Sequence, residues 1–146
     1  MKLSVVVPMY NEEGIAHKFF ERMEGVRSIF RERFGIERDD IEVIFVNDGS
    51  SDGTFSILKD LCEKHSGYVL LNLSRNHGHQ ITITAGIDLS KGDAVAVIDG
   101  DLQDPPETIA DLYAKHKEGF DVVYAVRKKR EGETFFKLFT AKMFYR

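Results

Sequence analysis

The stretch VAVIDGDLQDPPE (residues 95–107) runs from a β-branched apolar segment straight into three aspartates within six residues, and then into two prolines. An apolar run without alternation marks a strand buried on both faces, as in a parallel sheet. Charge at the carboxyl end of such a strand falls where open α/β sheets bind their ligands. Asp99 and Asp101, one residue apart, can both turn toward one hard cation there. Mg²⁺ or Mn²⁺ suits such oxygen ligands and keeps positions free for phosphate oxygens. Gln103 can add a neutral oxygen, and Gly100 lets a ligand come close to the main chain. Pro105 and Pro106 end the loop and open the next helix, whose first turn tolerates proline. Read instead as a merely acidic turn, the stretch would leave the repulsion between its aspartates uncompensated.

Working outward, similar apolar runs occupy residues 3–7, 41–46, 68–73 and 122–126, besides 94–98. Helical patterns lie between them at residues 12 to about 34, 53–64, about 78–89 and 107–117. Strand and helix alternate at intervals suited to right-handed crossovers, so the chain reads as one α/β domain, a three-layer sandwich around a mostly parallel sheet. The polar residues that matter should then follow each apolar run, and they do. PMYNEE (8–13), NDGSSDGT (47–54), SRNHGHQ (74–80) and DGDLQD (99–104) would meet at one rim of the sheet.

Each cluster also has an ordinary structural reading. Asp-Gly and Ser-Asp-Gly are turn chemistry, and Ser51 or Asp52 can cap the next helix. Asp48 stands apart, because a carboxylate at a strand end can accept from a ring N–H and from ribose hydroxyls. Asn11 can cap the first helix, with Glu12 and Glu13 favouring its positive end; Tyr10 and Glu12 are equally placed to meet a ligand. Arg75 can contact a base or a phosphate. His77 and His79 read as structural, since no further Cys or His has zinc-ligand spacing around them. In VRKKREGE (126–133), a basic run after the fifth apolar segment, Arg127 and Arg130 suit bidentate contact with a phosphate dianion.

The bulk properties narrow the class. At 146 residues, 42% hydrophobic and 30% charged, the chain can bury a real core. A net charge of -4 with dispersed positive charge argues against nucleic acid as a partner. The single cysteine, Cys62, cannot form an internal disulfide and reads as a structural thiol in a helical pattern. The N-terminal apolar run is too short for a signal peptide, and no run reaches the roughly 18 residues of a membrane span.

Taken in order, VVVPMYNEE, VNDGSSDGT, LSRNHGHQ, GDAVAVIDGDLQDPPE and DVVYAVRKKREGE resemble the family 2 glycosyltransferases of GT-A (Rossmann-like) fold. The branch they are most similar to transfers sugars to polyprenyl phosphates, as dolichol-phosphate mannosyltransferase and undecaprenyl-phosphate glucosyltransferases do. The resemblance implies a metal-dependent, inverting transfer of a hexose from a UDP- or GDP-sugar to a polyprenyl phosphate. It also implies that Pro8, Tyr10, Glu12 and Asp48 cradle the base and ribose, and that Asp99, Asp101 and Gln103 bind the metal beneath the diphosphate. Arg127 and Arg130 match arginines near the phosphates, which makes them, with Asp101, the expected catalytic residues. The family more often has Ala where this chain has Gly100.

The resemblance further implies that residues 1–146 are the nucleotide-sugar-binding part of a longer GT-A domain, truncated at the C-terminus, without its acceptor region and membrane helices. The full-length protein is then expected at the cytoplasmic face of a membrane. Phe135, Phe136, Phe139 and Met143 recur at helical spacing; this apolar stripe is expected to face a membrane or to pack on missing residues. Left uncovered it favours self-association, hence a homo-oligomer. The phosphatases that use paired aspartates expect their nucleophile at the first strand, and sugar-phosphate nucleotidyltransferases expect a Gly-rich loop there. Pro8-Met9-Tyr10 provides neither. The remaining alternative is a non-catalytic nucleotide-sugar-binding or membrane-associated interaction domain.

Overall fold

Four of the five apolar runs become strands of one sheet in the computed structural model, which describes residues 2–126. In chain order the elements are β1 (Leu3–Met9), α1 (Ala16–Phe34), β2 (Ile41–Asn47), α2 (Thr54–Lys64), β3 (Tyr68–Asn72), α3 (His79–Leu89), β4 (Ala94–Val97) and α4 (Thr108–Lys117). The strands lie in the order β3-β2-β1-β4 and all pair in parallel, with Leu3 opposite both Ile41 and Ala94. The chain therefore steps from β1 to β2 to β3 in one direction and then returns to the far side of β1. A right-handed crossover that reverses direction must run over the opposite face, and α3 does.

The two faces are unequal. On one, Phe19, Met23, Val26 and Phe30 of α1, spaced four, three and four residues apart, join Val5, Val7, Val43 and Phe45 in the main core. Phe19 meets Phe45 edge to face, 6.1 Å between centroids. Each such side chain contributes about 1.5–3 kcal/mol on full burial. Gly35, at φ 63, ends α1 in the left-handed conformation that glycine accommodates. Arg22 and Arg33 of α1 pair with Glu107 and Asp111, which clamps α4 onto the same face. Burial pushes the Cys62 thiol up to about 11, so it stays protonated and unreactive.

The other face holds a small core of Val6, Ile44 and Val46, covered by α3. Helix and sheet approach closely because Gly86 has no side chain. A Cβ there would overlap Val6 Cγ1 and come within 3.0 Å of Val46 Cγ2. The strand burial follows from this coverage. β1 and β2 are buried along their whole length, as the unbroken apolar runs suggest, whereas β3 and β4 are half exposed because they lie at the sheet edges.

Two sequence expectations need correction. Residues 122–126 form no strand: they pair with nothing among the described residues, and Val122, Tyr124 and Val126 are exposed. An apolar run becomes a strand only when a neighbour satisfies its main-chain groups. Here the run and the edge of β4 instead share the lining of a groove of about 700 Å³. The first helix begins at Ala16, not near Glu12: residues 13–15 form a turn, and the amides of residues 12 and 13 bond Thr54 and Asp52 side chains. Arg127, Arg130 and the apolar stripe from Phe135 onward lie outside the described residues.

Gly86→Ala weighs two opposed effects. Helix propensity gains about 1 kcal/mol, and overpacking against two β-branched side chains costs about 1–3 kcal/mol. The overlap with a central-strand valine makes the clash win. The urea midpoint should fall, and a midpoint equal to or above that of the parent chain would show that α3 has room to shift.

Candidate functional site

The return of the chain from β3 to β4 leaves a topological switch point between β1 and β4, where open α/β sheets bind ligands. A cleft of about 270 Å³ opens there. Its lining comes from all four strand ends: Pro8, Met9, Tyr10 and Glu12 after β1, Asp48 after β2, Asn76, Gly78, His79 and Thr82 at the start of α3, and Asp99, Gly100 and Asp101 after β4. The convergence read from the sequence is thus present.

The loops reach one another through side chains that accept main-chain hydrogen bonds. Asp48 is buried, and its two carboxylate oxygens accept from the amides of His77 at 2.7 Å and Gly78 at 3.0 Å. This carboxylate therefore latches the third loop as well as lining the cleft, a role its position at a strand end did not reveal. Gly49, at φ 64, follows it; any Cβ there would lie 2.6 Å from Arg75 Cα and from the Asn76 nitrogen. A second latch joins the first two loops. Asn11 accepts from the Ser51 amide at 2.9 Å, Thr54 Oγ1 accepts from the Glu12 amide at 2.8 Å, and Glu13 accepts from the Gly53 amide at 2.6 Å. Asn11, at φ 55, is accordingly a bridge between loops and does not cap α1. Asp52, expected as a cap of α2, stands one residue before the N-cap Gly53 and accepts from the Thr54 amide at 3.0 Å.

The cleft is acidic. Asp99 and Asp101 flank it on the β4 side, and His79 Nε2 lies 3.6 Å from Asp99 Oδ1. Asp101 Oδ1 accepts from the Gln103 amide at 2.9 Å, which turns the loop back on itself. Burial raises the Glu12 carboxyl above the usual glutamate range, and the negative charges of Asp101 and then Asp52 add to the rise. Negative charge from β1 and β4 therefore meets across the cleft.

Not every expected residue arrives. Gln103 is exposed and does not line the cleft, and Arg75 is exposed beside it with only its main chain packed against Gly49. Gly100 does line the cleft, and the space its missing side chain leaves is taken by Met9. Met9 is itself a residue that sequence reading passed over. A methionine ending an apolar run carries no chemical signal, and only the fold shows it under the cleft. Among the described residues, no group of three or more His, Cys, Asp or Glu is gathered so that it could hold a metal ion. Two carboxylates with open positions do fit Mg²⁺ or Mn²⁺, which such sites bind through one or two carboxylates plus substrate phosphates.

Comparison with known proteins adds a family. The family model described as glycosyl transferase family 2 matches residues 4–145. An uncharacterized glycosyltransferase of Bacillus subtilis, YkcC, is 49% identical over the whole of this chain, which covers 43% of that protein. A bactoprenol glucosyl transferase of Shigella phage SfV is 39% identical over the whole chain, covering 45% of the phage protein. The chain thus spans less than half the length of these relatives. A mannosyltransferase from Pyrobaculum calidifontis, solved in complex with GDP-Man and Mn²⁺, superposes with a TM-score of 0.62 at 23% identity over 77% of this chain and 31% of that one. That likeness bears out the GT-A fold.

The raised carboxyl of Glu12 sets a pH dependence. The native state holds this proton more tightly than the unfolded chain, so Glu12 detracts from stability as pH rises through the raised value, and the penalty persists above it. Glu12→Gln should therefore melt higher than the parent at neutral pH, with the difference vanishing below the ordinary carboxylate range. Melting curves at both pH values check this, and an unchanged neutral melt would show that Glu12 carries no such penalty.

Proposed function

Because the chain belongs to glycosyl transferase family 2, we propose that it supplies the donor-binding part of a metal-dependent hexosyltransferase whose acceptor is a polyprenyl phosphate. The observation that carries this reading is the acidic cleft at the switch point, lined by all four strand ends. Its walls divide by chemistry. Pro8, Tyr10 and Asp48 offer an apolar and aromatic surface with a carboxylate beyond it, suited to a base and its ribose. Asp99 and Asp101 offer hard oxygens to a divalent cation, Mg²⁺ or Mn²⁺, which when bound neutralises charge on the departing diphosphate. The mannosyltransferase with GDP-Man and Mn²⁺ supports both a nucleotide-sugar donor and the cation, and the bactoprenol glucosyl transferase supports the acceptor class.

The transfer is a single in-line displacement with inversion. An oxygen of the acceptor phosphate attacks the anomeric carbon, the bond from that carbon to the diphosphate oxygen breaks, and the electron pair leaves with the nucleoside diphosphate. A phosphate monoester is already anionic near neutral pH, so cationic residues that hold it in line matter more than a strong base. Arg127 and Arg130 are proposed for that task. The protein would then work at the cytoplasmic face of a membrane. No helix among the described residues is long and apolar enough to cross one, so the membrane would be met at its surface or through other segments.

Calorimetric titration with UDP- and GDP-sugars, in Mn²⁺ and in EDTA, tests the donor half. Affinity should fall at least about tenfold in EDTA and in Asp101→Asn; equal affinity in all three would sink the metal role. Transfer of radiolabelled sugar to a prenyl phosphate, measured on this chain and on a longer form, tests the other half. Arg127→Ala or Arg130→Ala in the active form should lower kcat about a hundredfold or more while donor binding survives. Donor binding with no transfer in either form would favour a binding domain without turnover.

A further inference from the structure

We propose that Met9 is a positioning residue for the cation site, its thioether forming the platform on which Gly100 rests and so fixing where Asp99 and Asp101 stand. The inference rests on the reading of those aspartates as cation ligands, and it names a device that this reading does not contain.

Glycine between two aspartates invites a conformational explanation, but Gly100 is not among the residues with positive φ. Any residue could adopt its backbone. Space is what excludes a side chain. A Cβ on Gly100 would overlap the Met9 sulfur, and would lie 3.2 Å from the Pro8 carbonyl oxygen and 3.3 Å from Met9 Cε. The volume a side chain at position 100 would take is filled from β1 by Met9, which is 1% exposed and yet lines the cleft.

This packing matters because side chains, more than main-chain bonds, locate the loop: Leu102 packs against the main core and Asp99 lies 3.6 Å from His79. The β4 ladder ends with the Ile98 amide donating to the Val6 carbonyl at 3.1 Å. Among the described residues, 99–102 make no further main-chain bond to another element, and the bond from the Gln103 amide to Asp101 is internal to the loop. Leu102 turns the chain at φ 59. The residue between the two carboxylates rests on Met9, so their height above the sheet depends on what lies beneath it as well as on the Leu102 anchor. The Met9 main chain is fixed in turn: it pairs with Asn47 in the β1–β2 register, and its carbonyl accepts from the Asp48 amide at 2.9 Å. Met9 thus refers the carboxylates after β4 to the same strand end that carries the Asp48 latch. Cation sites of this kind respond to displacements well below 1 Å.

Two substitutions test the platform by acting in opposite senses. Gly100→Ala pushes the loop away from Met9, and Met9→Ala removes the support beneath it. Each alone should lower the ratio of UDP-sugar affinity in Mn²⁺ to that in EDTA by about tenfold to a hundredfold. The double variant replaces the missing thioether with a methyl from above, and should recover that ratio to within about threefold of the parent. The ratio isolates the cation's share whatever else the substitutions do, and melting curves for each variant track stability separately. A purely structural role would lower the melting temperatures and leave the ratios alone. Additive losses in the double variant, or a ratio unmoved by either single change, would overturn the inference while the metal reading stands. A parent chain whose affinity is the same in Mn²⁺ and EDTA would overturn the metal reading and the inference with it.

Discussion

The two hydrogen bonds that the buried Asp48 carboxylate accepts from His77 and Gly78 decide where α3 begins. That helix has to leave the end of β3, cross the sheet on the face opposite α1, and deliver the chain to β4 beyond β1. Its starting point therefore sets the wall of the cleft that His79 and Thr82 provide, and the approach of Gly86 to Val6. A carboxylate is suited to the task because each oxygen can take an amide and still keep a lone pair for something in the cleft. Gly49 completes the arrangement by letting the third loop pass within van der Waals reach of the second. Loop position and cleft lining thus draw on one side chain, so a loss at Asp48 would move a loop as well as change the cleft wall.

Much of this was legible in the sequence, for reasons that differ by residue. The unbroken apolar runs of β1 and β2 and the polar clusters after them follow from burial on both faces, which few other architectures demand. Asp99 and Asp101 announce themselves by paired charge at a strand end. The residues that were misread are those whose role depends on a distant partner. Asn11 has the chemistry of a helix cap, yet it spends its side chain on Ser51, forty positions away. The apolar run at 122–126 has strand composition without a paired neighbour among the described residues, and local sequence cannot show whether a neighbour is there. Gln103 and Arg75 stand in the expected loops, but a loop does not fix which way a side chain turns.

Electrostatics gives the approach to α1 and the seam between α1 and α4 opposite responses to acid. Near the start of α1, the Glu12 carboxyl is raised by burial and by neighbouring negative charge, so protonation relieves it. Across the helix, the hydrogen bond from Arg22 holds the Glu107 carboxyl below its usual range, so protonation weakens the clamp on α4 as pH falls through that lowered value. The cleft therefore relaxes in mild acid, while the helix packing loosens only in stronger acid.

The inequality of the two cores has a bearing on motion. The face that carries α1, α2 and α4 holds nearly all the large buried side chains, whereas α3 rests on Val6, Ile44 and Val46. Cooperative opening follows the distribution of buried apolar contact. The helix that walls the cleft can thus come away from the sheet at a free-energy cost well below that of global unfolding. The floor made by Pro8, Met9 and the ends of β1 and β2 belongs to the other, stiffer unit. A ligand gripping both would join a rigid bed to a yielding wall, and part of its binding energy would appear as slower amide exchange along α3.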